Sequence, residues 1–297
     1  MKKSFAIIFL LGQFLMNIQA QPNNQFKYHT LDGNHPIGKR DITIYLPPSY
    51  NSTRVQEYPL LIMMDGQNIF FDSLSYIGHS WRLSEVSNTL INENKVNDFV
   101  IIGIDNASIN RFSEYMPQKP FNALSRRIKW KLRKHSNDPI YSDQFLKFIV
   151  NNVIPFMRNN YNITENSQEI IIGGSSMGGL ISMYAVCEYP DEFGGAICMS
   201  THWPAFIYKN SGATKNKIID YFSENIPKNK KWYFDFGTLG LDSQYERHQR
   251  KIDDILTANG YEADKNWITK KFEGHDHNEI AWYSRIHIPL EFFFGIK

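Results

Sequence analysis

The chain has 297 residues, of which 42% are hydrophobic, so it is long enough to bury one large core. Its 32 basic and 30 acidic residues nearly balance, which argues against a general nucleic-acid-binding protein. No internal repeat or hinge-like linker divides the chain, and we expect a single domain over residues 21–297.

The first twenty residues have the organisation of a secretory signal peptide. Two lysines precede an apolar run over residues 5–15, and the small residue Ala20 stands where cleavage would leave Gln21 first. No cysteine sits at the predicted cleavage point, so we expect no lipid anchor, and no later apolar run is long enough to span a membrane. We therefore expect a secreted or periplasmic protein that loses residues 1–20.

Strand and helix patterns alternate along the rest of the chain. The predicted strands are Asp41–Leu46, Tyr58–Met64, Phe99–Ile104, Glu169–Ile172, Gly195–Met199, Lys231–Phe236 and Trp267–Phe272. The predicted helices are Trp81–Asn92, Ser142–Asn159, Met177–Glu188, Lys217–Ser223, Asp242–Asn259 and Glu279–Phe294. Because the strands are almost continuously apolar and alternate with helices, they predict an α/β fold with a mostly parallel central sheet and helices on both faces.

One segment, a basic insertion at about 118–138, interrupts this alternation. Residues 118–135 contain seven lysines and arginines and no acid. The insertion follows the strand that ends at Ile104, so it should emerge at the carboxyl edge of the sheet, where such folds bind ligands. It is either a solvated basic helix or a lid that attracts an anionic substrate and packs Trp130 on it.

The stretch over residues 170–180 has the pattern of a nucleophile elbow. An apolar strand breaks into glycines around a serine and continues as a helix. The residues two before and two after the serine must be nearly free of side chain, which Gly174 and Gly178 are around Ser176. Ser175 does not qualify, because the residue two positions after it is Met177. A tightly packed turn without catalytic function is the alternative interpretation.

A nucleophilic serine needs a histidine to take its proton, and that histidine needs a carboxylate. In this fold both follow the serine, the acid first, in loops after later strands. Asp242 lies just past the strand that ends at Phe236, although it could instead cap the next helix. His275 and His277 compete after the last strand, and His277 is preferred because it directly precedes the final helix.

The remaining requirement is a pair of backbone donors for the oxyanion. The N–H of Met177 follows the nucleophile, and the N–H of Gln67 lies in the loop after an early strand. Metal binding by residues 275–277 is disfavoured by their close spacing and the lack of a second ligand cluster, so we expect no metal and no organic cofactor. The candidate substrate-binding residues are Trp81, Arg111, Trp130, His202 and Trp203.

With these residues placed, the chain resembles the putative-esterase family of α/β-hydrolases, which includes enterochelin-type siderophore esterases, feruloyl esterases and mycolyltransferase antigens. The resemblance rests on residues 45–50, 64–68, 103–106, Arg111, 114–117, 173–179, 237–238, Asp242, 277–279 and Trp282. In such families the catalytic histidine stands five residues before a tryptophan, which favours His277, and the residue after Asp-Gly is an oxyanion donor, which matches Gln67. Many relatives carry an acid where this chain has Gly240, and the basic insertion has no counterpart.

The resemblance implies an α/β-hydrolase fold and ester hydrolysis through an acyl-enzyme. The expected substrate is a small-molecule or carbohydrate ester, either an acyl or feruloyl ester linked to carbohydrate or a siderophore lactone. An acyltransferase and a non-catalytic ligand-binding protein on a hydrolase scaffold are the alternatives. Cys187 and Cys198, the two cysteines, are expected to be buried thiols rather than a disulfide. The sequence gives no indication of the oligomeric state.

Overall fold

The computed structural model describes residues 25–53, 55–133, 139–204 and 212–296. The predicted signal peptide lies outside these residues. Eight strands form one sheet in the order β1-β2-β4-β3-β5-β6-β7-β8. They are β1 (Phe26–Asp32), β2 (Lys39–Tyr45), β3 (Leu60–Met64), β4 (Val100–Ile104), β5 (Ile170–Ser175), β6 (Gly195–Met199), β7 (Lys231–Gly237) and β8 (Trp267–Phe272).

In the described part of the chain, eleven α-helices connect the strands and cover the sheet. They are α1 (Leu83–Asn92), α2 (Arg111–Tyr115), α3 (Gln118–Asn122), α4 (Arg126–Arg133), α5 (Ser142–Phe148), α6 (Ile154–Asn160), α7 (Met177–Glu188), α8 (Gly212–Asn225), α9 (Glu246–Ala258), α10 (Glu279–Arg285) and α11 (His287–Phe294). A π-helical turn at Ile149–Val153 joins α5 to α6. Short 3₁₀ turns occupy Gly66–Asn68 and Asp242–Gln244.

Six of the strands, β3 to β8, run parallel, whereas β1 and β2 pair antiparallel at one edge. Both faces of β3 to β7 are buried, whereas the edge strand β8 is partly exposed. In β3, Leu60, Ile62 and Met64 enter one apolar cluster, while Leu61 and Met63 enter another on the opposite face. Helices α5, α7, α8 and α9 cover the first face, and α1, α10 and α11 cover the second. This architecture confirms the predicted α/β-hydrolase fold class.

The differences from the predicted elements lie at the edge of the sheet and in several helices, including α2, which was not predicted. Strand β1 was not expected, because its residues are partly or fully exposed and it pairs only with β2. The helix predicted over Glu279–Phe294 is divided into α10 and α11. The helix predicted from Asp242 starts as a 3₁₀ turn, and α9 begins four residues later at Glu246.

The described part of the basic insertion forms α3 and α4. On α4, Leu132 is buried and Ile128 packs against the core, whereas Trp130 is 60% exposed. Helix α4 thus turns an apolar stripe inward and leaves a solvated face that carries Trp130. Residues 134–138 of the insertion lie outside the described residues.

Both cysteines are free thiols; Cys198 is buried as expected, whereas Cys187 is only partly buried. Burial raises the pKa of the Cys198 thiol well above its ordinary value, which fits an unreactive core residue. Within the described ranges, every helix is too short or too polar to cross a bilayer. The carboxyl ends of β3 to β8 share one edge of the sheet, and the loops that leave this edge carry the predicted catalytic residues.

Candidate active site

Strand β5 passes into helix α7 through Ser176, whose backbone has φ 56° and ψ −120°. This is a strained conformation for a residue other than glycine. The Ser176 N–H donates to the carbonyl of Met199 at 2.9 Å, which ties the turn to β6. Ser176 itself is partly exposed, whereas Ser175 and Met177 on either side are buried. The sharp turn therefore presents the Ser176 side chain at the surface of a cleft.

Close packing leaves little room for a side chain at either glycine around Ser176. A Cβ added at Gly174 would lie 2.9 Å from the carbonyl carbon of Gly178 and 3.0 Å from Cβ of Met64. A Cβ at Gly178 would lie 3.1 Å from Oδ2 of Asp65. The strand and the helix can meet at this angle because neither position carries a side chain.

His277 and Asp242 are in direct contact. Nδ1 of His277 lies 2.5 Å from Oδ1 of Asp242, whose side chain is 0% exposed. His277 precedes α10 and lines the same cleft as Ser176. The ring of the competing residue His275 packs on Phe272, and its carbonyl accepts two backbone N–H groups. The geometry thus brings His277, rather than His275, to the buried acid.

Asp242 accepts hydrogen bonds on both carboxylate oxygens. Oδ1 faces His277, and Oδ2 accepts from the N–H of Gly237 at 2.7 Å and from Oγ of Ser200 at 2.6 Å. Burial alone would raise the pKa of this carboxyl, but hydrogen bonds and charge from His277, with the bonds from Ser200 and Gly237, outweigh burial and lower it. Its side chain caps neither the 3₁₀ turn nor α9. The surroundings of Asp242 therefore favour a carboxylate that is ionised and hydrogen-bonded to the imidazole.

Trp282 explains the five-residue spacing from His277. Its ring meets the imidazole edge-on, with centroids 5.1 Å apart, and its Nε1 donates to Oγ of Ser200 at 3.0 Å. Trp282 thus packs against the imidazole and also holds the serine that contacts Asp242. Trp81, a predicted substrate-binding residue, is buried against Trp282 with ring centroids 5.6 Å apart.

The two predicted oxyanion donors follow the neighbouring parallel strands β3 and β5. Gln67 belongs to the 3₁₀ turn after β3, lines the cleft with Ser176, and accepts the N–H of Asn106 on its side-chain oxygen. Met177 is the first residue of α7, so its N–H has no acceptor within the helix and lies at the positive end of the helix dipole. Both positions suit amides that would stabilise a developing negative charge.

Arg111 supports the loop that carries Gln67. It forms two hydrogen bonds to the Asp65 carboxylate, at 2.6 and 2.7 Å, and Asn106 donates to the same carboxylate. Tyr115 OH accepts the backbone N–H of Asp65 at 3.1 Å. Arg111 was predicted to bind substrate, and it does line the cleft, but its charge is already balanced by Asp65.

The cleft has a volume of about 690 Å³. Its lining includes Gln67, Asp105, Arg111, Ser176, His277 and Glu279. Burial raises the pKa of Asp105 to about 6, and burial also raises that of Glu279. Because both carboxyl groups line the cleft, their oxygens can form hydrogen bonds with a bound molecule. A second cleft, of about 610 Å³, lies where β5, β6 and β7 begin and contains none of these residues.

Four of the five predicted substrate-binding residues do not line the cleft as far as the chain is described. Trp203 is buried and donates to Gln249, and Trp130 is exposed on α4. His202 is buried, with Nδ1 2.6 Å from Tyr245 OH, and burial lowers its pKa to about 3. The imidazole of His202 therefore stays neutral at physiological pH. The backbone N–H of His202 donates to the carbonyl of Ser176, which helps to fix the elbow.

Sequence reasoning missed three buried residues near Asp242. Ser200 follows β6, and Arg285 ends α10 three residues after Trp282 and so lies on the same helix face. Asp235 was set aside as a catalytic acid because it lies inside β7, where it pairs with Arg285 at 3.1 Å. A polar residue at the end of an apolar strand was the available signal for Ser200. No group of three potential metal-ligating side chains occurs in the described ranges.

Comparison with known proteins gives one family match. The model of a family described as "Putative esterase" matches residues 34–283. The uncharacterized protein YbbA of Bacillus subtilis (strain 168) is 32% identical over 182 residues, which make up 61% of this chain and 62% of that protein. The chain thus spans less than two thirds of the length of this relative.

The solved structures that share the fold include two esterases. A ferulic acid esterase has a TM-score of 0.65 and 16% identity, and the match covers 91% of this chain and 97% of that one. The enterobactin esterase FES from Shigella flexneri has a TM-score of 0.66 and 14% identity, with 90% and 59% covered. At these identities the likeness shows the fold alone.

The family model extends over most of the chain and includes the elbow, Asp242 and His277. This match and the fold agree with the resemblance seen in the sequence, and they support the predicted enzyme class, a serine carboxylic-ester hydrolase. The chain belongs to the putative esterase family.

Proposed function

We propose that this protein is a serine esterase that uses Ser176, His277 and Asp242. The observation that carries the proposal is the 2.5 Å contact between Nδ1 of His277 and the buried Asp242, in a cleft that also presents Ser176 on a strained turn. Because Asp242 accepts the Nδ1–H, the Nε2 atom carries the lone pair that can take the serine proton. The arrangement matches the chemistry that an alkoxide nucleophile requires.

The reaction proceeds in two halves. Ser176 Oγ attacks the ester carbonyl as its proton passes to His277, and the N–H groups of Gln67 and Met177 stabilise the oxyanion. The imidazolium then returns the proton to the departing alcohol, which leaves an acyl-enzyme on Ser176. Water loses a proton to His277 as it attacks the acyl carbonyl, and collapse of the second oxyanion releases the acid and restores Ser176.

The chemistry of the cleft favours an ester of a hydroxyl-rich alcohol. Arg111 is neutralised by Asp65, whereas Asp105 and Glu279 present carboxyl oxygens that accept hydroxyl donors. We therefore propose a carbohydrate-linked acyl or feruloyl ester as the first substrate to test and a siderophore lactone as the second. We further propose that the protein is exported after removal of residues 1–20, which N-terminal sequencing of the exported protein would test.

The direct test is Ser176→Ala with a short p-nitrophenyl ester. The substitution should abolish hydrolysis and labelling by a fluorophosphonate probe while leaving the thermal melt intact. A matched control is Ser182→Ala, because Ser182 is a buried serine on α7 whose hydroxyl donates to a backbone carbonyl. Full activity in Ser176→Ala would refute the proposal. Product analysis with a sugar acceptor would separate hydrolysis from acyl transfer.

A further inference from the structure

A buried polar cluster contacts the oxygen of Asp242 that His277 does not use. The Arg285 cluster consists of Ser200, which directly follows β6, Asp235 in β7 and Arg285 at the end of α10. Nη2 of Arg285 lies 2.6 Å from Oγ of Ser200, 3.1 Å from Oδ1 of Asp235 and 3.7 Å from Oδ2 of Asp242. The Arg285 side chain is 1% exposed, so one guanidinium is enclosed between two buried carboxylates.

The hydrogen bonds around Ser200 fix the direction of its proton. Oγ of Ser200 accepts from Nη2 of Arg285 and from Nε1 of Trp282, at 2.6 and 3.0 Å. A hydroxyl has two lone pairs and one proton, so these two donors leave the proton for Oδ2 of Asp242, 2.6 Å away. The Ser200 hydroxyl is thus polarised by the guanidinium and donates a stronger hydrogen bond to the Asp242 carboxylate.

Asp235 balances the charge of Arg285. Its Oδ1 accepts the Ser200 N–H at 3.0 Å, and its Oδ2 accepts from Tyr233 OH at 3.0 Å. Nε and Nη1 of Arg285 have no partner among the described residues, and the ring of Phe272 covers the guanidinium at 4.9 Å. The hydrogen bond and the ion pairs described for Arg285 thus all use Nη2, which lies between Asp235 and Asp242.

We propose that Arg285, balanced by Asp235 and acting through Ser200, holds Asp242 ionised and correctly oriented, and that it sets the acid limit of activity. Ser200, Asp235 and Arg285 are then positioning residues that do not touch substrate. The inference rests on the proposed triad, because it assigns the cluster a role through Asp242 and His277. It predicts that two variants of the cluster move the pH profile in opposite directions.

The direction in which each variant shifts the acid limb follows from the charge that faces His277. The acid limb of kcat/KM marks the pH below which the imidazole becomes protonated and can no longer accept the serine proton. Removing the Ser200 hydroxyl takes a donor from Asp242, so more negative charge stabilises the imidazolium and the limb moves to higher pH. Asp235→Asn leaves Arg285 less balanced, so the imidazolium is disfavoured and the limb moves to lower pH.

Several other titratable or charged groups surround His277 and Asp242. They are His202, Tyr245, Arg111, Asp276 and Glu279. Neither variant alters them, so they form a constant background in the comparison. The proposed shifts therefore report the Arg285 cluster.

The experiment measures kcat and KM for p-nitrophenyl acetate from pH 5 to pH 9 in wild type, Ser200→Ala and Asp235→Asn. Ser87→Ala is the control, because Ser87 is a buried serine on α1 whose hydroxyl donates to Leu83 O at 2.7 Å. In Ser200→Ala we expect the limb to rise by about half to one pH unit, where one unit is a tenfold change in the protonation ratio. Its kcat should fall by about 10- to 100-fold with KM nearly unchanged.

Opposite shifts in the two variants, with an unmoved limb in Ser87→Ala, would support the proposal. An unmoved limb in folded Ser200→Ala, or shifts of the same sign in both variants, would overturn it. If Asp235→Asn fails to fold, the result for Ser200→Ala decides alone. Loss of the proposed function is a separate outcome, since it would appear as activity retained in Ser176→Ala.

Discussion

Replacing Asp242 by asparagine should silence the enzyme by reversing the tautomer of His277. The N–H of Gly237 and the hydroxyl of Ser200 both donate to Oδ2. An asparagine would therefore keep its carbonyl oxygen on that side and turn its NH₂ group toward Nδ1 of His277. A donor at that position requires Nδ1 to accept, so the ring proton moves to Nε2 and the lone pair needed by Ser176 is lost.

The size of the effect follows from the contact that is reversed. Loss of the correct tautomer costs on the order of 10⁴ in kcat, which is about 5.5 kcal/mol of barrier, since each tenfold change is about 1.36 kcal/mol. KM should change little, because Asp242 is fully buried and the cleft lining does not include it. Circular dichroism should show that the variant is folded.

The same substitution has a signature in stability. The folded state lowers the pKa of Asp242, so its ionised form stabilises the fold above the pKa of the unfolded chain. That contribution disappears as the pH falls through the folded-state value. Asp242→Asn should therefore melt at a lower temperature than wild type at neutral pH, and the difference should shrink in acid.

The control is Asp276→Asn, a neighbouring carboxylate that accepts the backbone N–H of His277 at 2.7 Å. An asparagine can keep that bond with its carbonyl oxygen, so we expect activity within about threefold of wild type, because exposed positions of this kind tolerate substitution. The reasoning fails if Asp242→Asn keeps more than about a tenth of the wild-type kcat, or if Asp276→Asn loses as much activity.

Three further predictions concern the catalytic base, the elbow and the cleft. His277→Asn should lose activity by about 10³-fold or more, whereas His275→Asn should lose little, and rates with a p-nitrophenyl ester decide the ranking. Gly174→Ala should destabilise the fold by about 1–3 kcal/mol, because the added methyl meets the backbone of Gly178 at 2.9 Å; an unchanged denaturant midpoint would contradict this. Asp105 has its pKa raised to about 6 by burial, so its ionisation opposes folding as the pH rises from about 4 to 6. Asp105→Asn should thus raise the melting temperature at pH 8 but not at pH 4, and equal shifts at both values would show that charge is not the cause.

The fold and the positions of three catalytic candidates could be predicted because their signals are local in the chain. The elbow needs glycines two residues either side of Ser176, and the acid and histidine must follow later strands. These requirements concern spacing and order along the chain, so they can be recognised in the sequence without a structure. The fold class was predicted for a similar reason, since strands buried on both faces are continuously apolar.

The Arg285 cluster could not be predicted, because it exists only after three elements meet. Ser200, Asp235 and Arg285 lie 35 or more residues apart and share no spacing rule. Strand β1 was missed for a different reason: it is an exposed edge strand, so burial leaves little pattern in its residues. For the basic insertion the charge was visible, but the inward packing of Leu132 depends on the core beneath it.

Three of the loops at the carboxyl edge place a non-glycine residue in left-handed backbone geometry: Asp65 at φ 57°, Ser176 at 56° and Ser200 at 43°. Glycine would occupy each position with less strain. Directed evolution that selects only for thermostability should therefore drift toward glycine at these positions and yield robust but inert proteins. A library screened for heat resistance should therefore also be screened for activity, so that these three residues are retained.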